Sequence, residues 1–424
     1  MARAVSAVVP LMLVPVTLSY LGPDLYGLWM AVIALTGMAA FADLGLGNGL
    51  LTRLAPCHAS GDSRLARRYV SSAYAMVSGI AVAGCALLWL ISGLVQWRTI
   101  FNAPDSVSPA DARAVTLIGL TAFLLNMPLS LVSRVQYAYG MGARSNIWQA
   151  AGVAMSLPLA FGAVHAGLPA RAVVAAAVAG PVLTNIVNTG WTFARDLPDL
   201  TPRWGALDPP TGRELLRISG LFGVVTILMT LADNADSLII AHTRGLADVT
   251  AYAVPAKLFT QLGVVVVLVN QPFWPAHGEA LAGGRVVWVR RIARRMTVVS
   301  TAVVLLPAVV LVAWGEQLFV TWLSVPFGDR WLLLGMAVWW LTLAATSPVF
   351  MVQNAAGVVR PQLVGYAAYL ALSVVGKWYG TRWFGITAVP YVATACYVLT
   401  VVPAAIHGYR RALALGVRPR TVER

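Results

Sequence analysis

The chain has 424 residues, of which 59% are hydrophobic and only 11% are charged, and its mean hydropathy is +0.75. A soluble protein of this length would need much more polar surface, so the composition excludes an ordinary soluble fold. The formal net charge of +14 does not indicate a nucleic-acid-binding protein, because the basic residues stand in short clusters between apolar runs and form no soluble domain.

Apolar runs of about 20 residues recur along the chain, which is the length that a helix needs to cross a bilayer. Splitting these runs at Pro, Gly or charge clusters predicts twelve membrane-spanning helices and an all-α polytopic membrane protein. The first run is interpreted as a retained helix, because a cleaved signal peptide would break the charge pattern described next. In chain order, the predicted helices cover residues 4–21, 26–49, 70–95, 114–138, 146–164, 172–193, 218–241, 251–274, 296–315, 331–352, 362–380 and 384–406.

The arginines test this arrangement of helices. With the N-terminus in the cytoplasm, most arginines fall in cytoplasmic segments, as the positive-inside rule requires. Both termini are therefore predicted to be cytoplasmic. The arginines predicted on the outer side are Arg98, Arg113, Arg171, Arg244, Arg330 and Arg382.

A polar, proline-containing segment after the sixth predicted helix divides the chain. We predict a six-helix bundle over residues 1–200, a cytoplasmic linker over 201–217, and a second six-helix bundle over 218–424 with a short basic tail. The two halves also echo one another. In the first half, Gly22 precedes Trp29 by seven positions, and in the second half Gly245 precedes Tyr252 by the same distance. Both glycines are predicted at the outer turn between the first two helices of their half.

Several sequence blocks resemble one transporter family. The blocks are YLGPDLYGLW, FADLGLGNGLL and HASGDSRLARRYVSSAY near the start, SNIWQAAG at 145–152, DSLIIAHTRGLADVTAYAVPAKLF at 236–259, and NQPFWPAHGEAL at 270–281. Together they resemble the Wzx-type O-antigen and polysaccharide flippases of the multidrug/oligosaccharidyl-lipid/polysaccharide superfamily. The resemblance implies a V-shaped, MATE-like transporter with two bundles and a polar cleft. It also implies that this transporter moves an undecaprenyl-pyrophosphate-linked oligosaccharide from the cytoplasmic to the periplasmic leaflet of a bacterial inner membrane. No cofactor is predicted.

The chain has only two lysines, Lys257 and Lys377, and both lie inside predicted spans. A charge at mid-bilayer costs from about 3 kcal/mol upward, so such a residue normally faces a partner or a polar interior. Lys257 and Asp236 lie at similar predicted depths in adjacent helices, which predicts an ion pair, and Asp233 shares the face of Asp236. A purely structural pair, or a lysine that reaches the headgroups, remains the alternative.

Lys377 stands beside Trp378, Tyr379 and Trp383, which resemble an interfacial aromatic belt. This setting favours a lysine that reaches up to the headgroups, with a place in the lumen as the alternative.

Three further residues are candidates near the cytoplasmic side. Asp43 precedes a Gly-x-Gly-x-Gly track, which indicates either a helix break beside a wet cavity or an ordinary helix end. Arg53 and Arg134 could receive a pyrophosphate at the entrance or could be ordinary cytoplasmic anchors. The candidates for lumen and substrate binding are thus Lys257, Lys377, Arg53 and Arg134, and those for ion coupling are Asp43, Asp233 and Asp236.

The remaining motifs do not indicate a catalytic or metal site. The cluster VRRIARR at 289–295 indicates an amphipathic contact with anionic headgroups. Neither the histidines nor the three cysteines, Cys57, Cys85 and Cys396, show metal-ligand spacing, and no Ser/His/Asp set is present. No metal site and no enzymatic activity are therefore predicted.

The sequence predicts a flippase for lipid-linked oligosaccharide, with the bilayer and a polysaccharide polymerase complex as further candidate partners. A MATE-like multidrug exporter shares the fold and remains the main alternative. A membrane glycosyltransferase or polymerase is disfavoured, because the longest predicted outer segment, near 96–113, is short and poor in catalytic residues.

Overall fold

The structure is a computed structural model that describes residues 2–39, 46–206, 208–270, 273–324 and 329–417. Within these ranges the regular structure is entirely helical, which confirms the all-α prediction. Short π- and 3₁₀-helical turns occupy Thr192–Asp196, Pro198–Leu200 and Trp204–Ala206. The α-helices are α1 (Ala2–Met38), α2 (Leu46–Ser60), α3 (Ser63–Ile91), α4 (Trp97–Ile100), α5 (Pro109–Ala138), α6 (Gly142–His165), α7 (Ala170–Trp191), α8 (Pro209–Thr243), α9 (Leu246–Asn270), α10 (Phe273–Ala282), α11 (Val286–Leu323), α12 (Arg330–Ala355), α13 (Arg360–Phe384) and α14 (Ala388–Val417).

The described part of the chain contains nine helices that are long and apolar enough to cross a membrane, and they make this a multi-pass membrane protein. They lie in α1, α3, α5, α6, α7, α9, α11, α12 and α14. One of them, α1, consists of two helical stretches on either side of Gly22, whose φ of 73° is non-helical. Two more helices, α8 and α13, contain 35 and 25 residues and are also long enough to span. The count of twelve spans stays a prediction.

The turn glycines lie where the internal echo predicts them. Gly22 separates the two stretches of α1, and Gly245 separates α8 from α9. Both have positive φ values, 73° and 108°, in a region that residues with a side chain rarely adopt. The recurring glycine therefore marks a backbone conformation that each of these turns requires.

The second predicted helix ends earlier than expected. α1 ends at Met38 rather than at 49, and residues 46–49 belong to α2, which runs on to Ser60. The glycines of this segment were expected to weaken the helix, but Gly47 and Gly49 both lie within α2. Burial offsets their poor helix propensity, because Leu46, Leu50 and Leu54 are fully buried against α3 and α5. Asp43 lies outside the described residues, so the predicted break there stays a prediction.

The chain divides into two compact units, Met1–Thr230 and Leu231–Arg424. Their boundary falls inside α8, whereas the sequence places the division in the linker at 201–217. That predicted linker is also partly helical, because α8 begins at Pro209. Asp208 caps this helix, and the prolines at 209 and 210 suit its first turn, where an N–H group would have no helical partner.

The cap at Asp208 predicts a pH-dependent stability. Thr211 donates to the Asp208 carboxylate through its hydroxyl and through its backbone N–H, the latter over 3.2 Å. These hydrogen bonds, with help from Arg68, lower the pKa of Asp208 below its usual value. A carboxyl whose pKa is lowered by folding contributes stability above its unfolded pKa, and that contribution is lost as the pH falls through the folded pKa.

We therefore expect wild type to be more stable than Asp208→Asn at pH 7, and the gap to close as the pH falls below about 4. Asparagine keeps the neutral cap, so the substitution isolates the charge. Thermal unfolding of the detergent-solubilised protein between pH 7 and pH 3 measures this gap. A gap that does not change with pH would contradict the explanation.

Candidate functional site

Helix α13 is polar on its buried side and apolar on its exposed side. Val364, Leu372, Val375 and Trp383 are 71%, 51%, 57% and 73% exposed. The buried residues recur every three or four positions, which places them on one face of the helix. This arrangement reverses that of a soluble amphipathic helix and is typical of a membrane helix that borders a polar interior. The buried polar residues are Gln362, Tyr366, Tyr369, Ser373, Lys377 and Thr381.

Lys377 forms a buried ion pair with Asp236. The distance from Lys377 Nζ to Asp236 Oδ1 is 2.5 Å, and the two side chains are 2% and 14% exposed. Tyr252 Oη donates a hydrogen bond of 2.8 Å to the second carboxylate oxygen of Asp236. Three helices, α13, α8 and α9, therefore meet at one carboxylate, and both of its oxygens have a partner.

The pair lies well inside its helices. Asp236 stands seven residues before the end of α8, and Lys377 stands seven residues before the end of α13. At about 1.5 Å per residue, each is roughly 10 Å from the helix terminus. A charge at this depth needs a partner, because leaving it unpaired in an apolar interior is expensive.

Aromatic rings surround the lysine. The ammonium of Lys377 lies 5.8 Å from the centre of the Tyr369 ring, within the range of a cation–π contact. Trp339 stacks on Tyr369 with ring centres 6.0 Å apart, and Tyr397 meets Tyr369 edge to face at 5.7 Å. We call Asp236, Tyr252, Tyr369 and Lys377 the lysine site. Its wall of aromatic rings fixes the position of the cation and offers hydroxyl groups beside it.

Two expectations about the lysines are corrected here. Among the described residues, the ion pair found for Asp236 is with Lys377, whereas Lys257 was the predicted partner. The prediction that Lys377 reaches the headgroups is also wrong, because the residue is only 1% exposed. Tyr379 and Trp383 do face outward, at 49% and 73% exposure, but Lys377 lies on the opposite side of the same helix.

Lys257 lies half-buried in α9, five residues beyond Tyr252 and thus about 7.5 Å farther along the helix. The side chain of Asp233 belongs to the part of the chain that is not described. The roles proposed for Lys257 and Asp233 therefore stay predictions.

In the N-terminal unit, Arg53 forms an ion pair with Glu214. Tyr69 Oη donates to the other oxygen of this carboxylate over 2.8 Å. A phosphate group at Arg53 would have to compete with Glu214, a residue that sequence reasoning did not single out. Arg134 lies exposed near the end of α5. Its roles as an anchor and as a phosphate ligand both stay open.

A buried amide network in the N-terminal unit was also missed. Gln136 Nε2 on α5 donates to Asn188 Oδ1 on α7 over 2.7 Å and to Thr192 Oγ1 over 2.9 Å. All three side chains are at most 1% exposed. The signal was present in the sequence, because amide residues inside apolar spans require hydrogen-bond partners. The network joins α5 to the end of α7.

The described residues contain no group of three or more His, Cys, Asp or Glu side chains that could hold a metal ion. The lysine site instead offers an ammonium, a carboxylate and phenol hydroxyls. This set can bind a charged ligand by exchange: an incoming anion can replace Asp236 at Lys377, and an incoming cation can replace Lys377 at Asp236.

A family model described as "Polysaccharide biosynthesis protein" matches residues 1–277. A comparison with curated protein sequences gave no match.

Solved transporter structures share the fold. An inward-facing multidrug resistance MATE family transporter of the MOP superfamily has a TM-score of 0.77 at 13% identity, over 95% of this chain and 93% of that chain. The lipid II flippase MurJ in an inward closed conformation has a TM-score of 0.75 at 10% identity, over 98% and 90%. A mutant of the Vibrio cholerae MATE transporter VcmN has a TM-score of 0.65 at 16% identity, over 99% and 96%. At these identities the likeness establishes the fold, and it confirms the MATE-like prediction.

Proposed function

Because this chain belongs to the polysaccharide biosynthesis protein family, we propose that it is a flippase for undecaprenyl-pyrophosphate-linked oligosaccharide. The cargo would be an O-antigen or another polysaccharide repeat unit, moved from the cytoplasmic to the outer leaflet of a bacterial inner membrane. Both termini would lie in the cytoplasm. The fold likeness to the lipid II flippase MurJ supports a lipid-linked cargo.

The barrier that such a protein removes is electrostatic. Moving an unpaired phosphate charge into hydrocarbon would cost tens of kcal/mol by a Born estimate. A buried cation inside the protein lowers this cost, because it replaces the water and counterions that the diphosphate loses. The polyprenyl tail needs no such help, since it is as apolar as the surrounding lipid.

The observation that carries the proposal is the buried ion pair of Lys377 and Asp236. In this mechanism the diphosphate displaces Asp236 from the ammonium of Lys377 as the cargo passes. Tyr252, which already donates to Asp236 over 2.8 Å, stabilises the released carboxylate. The exchange keeps the ammonium paired throughout, so neither state leaves it alone in the apolar interior.

Ion coupling would use the same carboxylate. Asp236, released by the diphosphate, could take up a proton or a sodium ion, and Asp43 and Asp233 are the other candidates for this step. Flipping that continues unchanged in vesicles after every ion gradient has been collapsed would remove the coupling hypothesis and leave the exchange intact.

The test of the proposal is a flipping assay in proteoliposomes with a fluorescent polyprenyl-pyrophosphate-linked oligosaccharide. We expect wild type to move the lipid and Lys377→Gln to be roughly 10- to 160-fold slower, from about 1.5–3 kcal/mol for a hydrogen bond to a charged group. Arg382→Gln is the matched control, because it removes an exposed cation from the same helix. Absence of flipping by wild type would overturn the function, whereas equal rates for wild type and Lys377→Gln would overturn the site.

The fold likeness to MATE transporters keeps a multidrug exporter as the second candidate. An exporter of cationic drugs needs a carboxylate that the drug can reach. Here Asp236 already pairs with Lys377, so a cationic drug would have to displace an intramolecular ammonium. Transport of cationic dyes by wild-type proteoliposomes, with no movement of the lipid-linked sugar, would favour the exporter.

A further inference from the structure

The first turns of α11 carry an arginine cluster that the proposed transport mechanism does not use. Arg290, Arg291, Arg294 and Arg295 are all exposed. Their spacing places them in two neighbouring rows on one side of the helix. Together with Val287, Val298 and Val299 they line a surface depression of about 640 Å³. We call these four residues the arginine cluster.

Within the described ranges, no carboxylate forms a salt bridge with the arginine cluster; the six pairs found there involve other residues. Three other arginines on the predicted cytoplasmic side do have carboxylate partners. Arg53 pairs with Glu214, Arg67 with Asp199, and Arg144 with Asp196. Guanidinium groups stay charged at every physiological pH, so four of them within two turns repel one another until an anion binds. The cluster therefore has the electrostatics of an anion site.

The same side of α11 is apolar farther along the helix. Val298, Leu306 and Val309 are 64%, 73% and 54% exposed, and α11 contains the span with the highest hydropathy of the nine, 2.5. Leu306 stands eleven residues beyond Arg295, which is roughly 16 Å along the helix. One leaflet of the hydrocarbon core is about 15 Å thick. When the exposed apolar residues up to Leu306 lie among the acyl chains of one leaflet, the guanidinium groups of the arginine cluster therefore lie at the depth of the lipid headgroups.

We propose that this side of α11 is a binding site for an anionic phospholipid of the cytoplasmic leaflet. The arginine cluster holds the headgroup phosphate with charge-assisted, forked hydrogen bonds, and the acyl chains run along the exposed apolar residues toward Leu306. The apolar row selects a phospholipid over a soluble phosphate, because a free ion would gain nothing from it. The site does not depend on the proposed cargo, since its ligand is a membrane component.

The experiment compares lipid retention by the purified full-length protein. The protein is exchanged into detergent with equal amounts of phosphatidylglycerol and phosphatidylcholine that carry identical acyl chains, and the bound lipids are counted by native mass spectrometry. We expect wild type to retain phosphatidylglycerol at least fivefold over phosphatidylcholine. Equal retention of the two lipids by wild type would overturn the proposal without reference to any variant.

The site is then located with two variants of equal charge change. Arg290→Gln/Arg291→Gln/Arg294→Gln/Arg295→Gln removes the cluster, and Arg64→Gln/Arg203→Gln/Arg213→Gln/Arg360→Gln removes four exposed arginines elsewhere. The first variant should lose the preference for phosphatidylglycerol and the second should keep it. If both variants lose it equally, net charge is responsible and the site is wrong.

Inorganic phosphate separates a lipid from a bare anion. Phosphate added at millimolar concentration should leave the bound phosphatidylglycerol in place, because it cannot replace the contacts of the acyl chains. Displacement of the lipid at that concentration would show an anion site without lipid specificity, and the proposal would fail.

Discussion

Replacing Lys377 with methionine alone is expected to destabilise the protein by roughly 3–5 kcal/mol, the usual cost of removing one partner from a buried ion pair. The substitution takes the ammonium away from the Asp236 carboxylate, whose side chain is only 14% exposed in the wild-type structure. Asp236→Asn should lower the free energy of unfolding by a similar amount, because it removes the anionic partner of Lys377, whose side chain is only 2% exposed. Thermal or denaturant unfolding in detergent measures both losses.

The double variant Asp236→Asn/Lys377→Met should be far more stable than either single variant. Removing both charges also removes the desolvation cost of burying them, and such replacements are often neutral or even stabilising. Arg382→Met serves as the control on α13, because its side chain is exposed, and it should change stability by less than about 0.5 kcal/mol. If the double variant is as unstable as the sum of the single ones, the two residues are not coupled.

The double variant also separates structure from function. It should fold, yet the proposed exchange of Asp236 for a diphosphate at Lys377 would be lost with the ammonium. A folded double variant that flips lipid-linked oligosaccharide at the wild-type rate would show that the pair serves stability alone. A folded but inactive one would show that the charge itself is needed for transport.

The lysine site shows what a sequence can and cannot predict in this protein. Because Lys257 and Lys377 are the chain's only lysines and both lie in apolar spans, the involvement of a lysine was predictable. The partner was not, because α8 and α9 are adjacent in sequence, and this favoured Lys257 over a residue 141 positions away. Contacts between helices that are far apart in the sequence depend on how the helices pack, and no short sequence pattern identifies such contacts.

The orientation of α13 was nonetheless recoverable. Tyr366, Tyr369, Ser373 and Lys377 recur at helical spacing, and they would have placed Lys377 on a buried polar face. The neighbouring Trp378, Tyr379 and Trp383 were given more weight because they look like an interfacial belt. The periodicity of the polar residues was the better guide, since adjacent residues in a helix point in different directions.

Helix boundaries were predictable where the local chemistry sets them. The left-handed turns at Gly22 and Gly245 follow from the freedom of glycine to adopt positive φ. Between Met38 and Leu46 the sequence left a helix break and an ordinary helix end open; α1 ends at Met38 and α2 begins at Leu46, so the single helix predicted over 26–49 is wrong. The start of α8 inside the predicted linker was missed although the local sequence indicates it. Asp208 and the two prolines that follow are helix-start signals, but they were interpreted as loop signals.

The packing of α6 against α7 gives the second large prediction. Each helix presents two small residues four positions apart, Gly152 and Ser156 on α6 and Gly180 and Thr184 on α7. Small residues at this spacing let membrane helices approach closely, so that van der Waals contacts hold them together. A Cβ atom at Gly180 would lie 2.8 Å from the backbone nitrogen of Ser156, which is closer than unbonded atoms approach.

Gly180→Ala is therefore expected to destabilise the protein by roughly 1–3 kcal/mol, because a backbone wall cannot move aside as a flexible side chain can. Gly190→Ala is the same change on the same helix, but a Cβ atom there meets nothing within 4 Å. It should be neutral or stabilising by up to about 1 kcal/mol, since alanine is the better helix former. Unfolding of the two variants in the same detergent should thus show a loss of stability for Gly180→Ala and no loss for Gly190→Ala. Equal effects would mean that α6 and α7 do not meet at Gly152 and Gly180, and the close crossing of these helices would have to be abandoned.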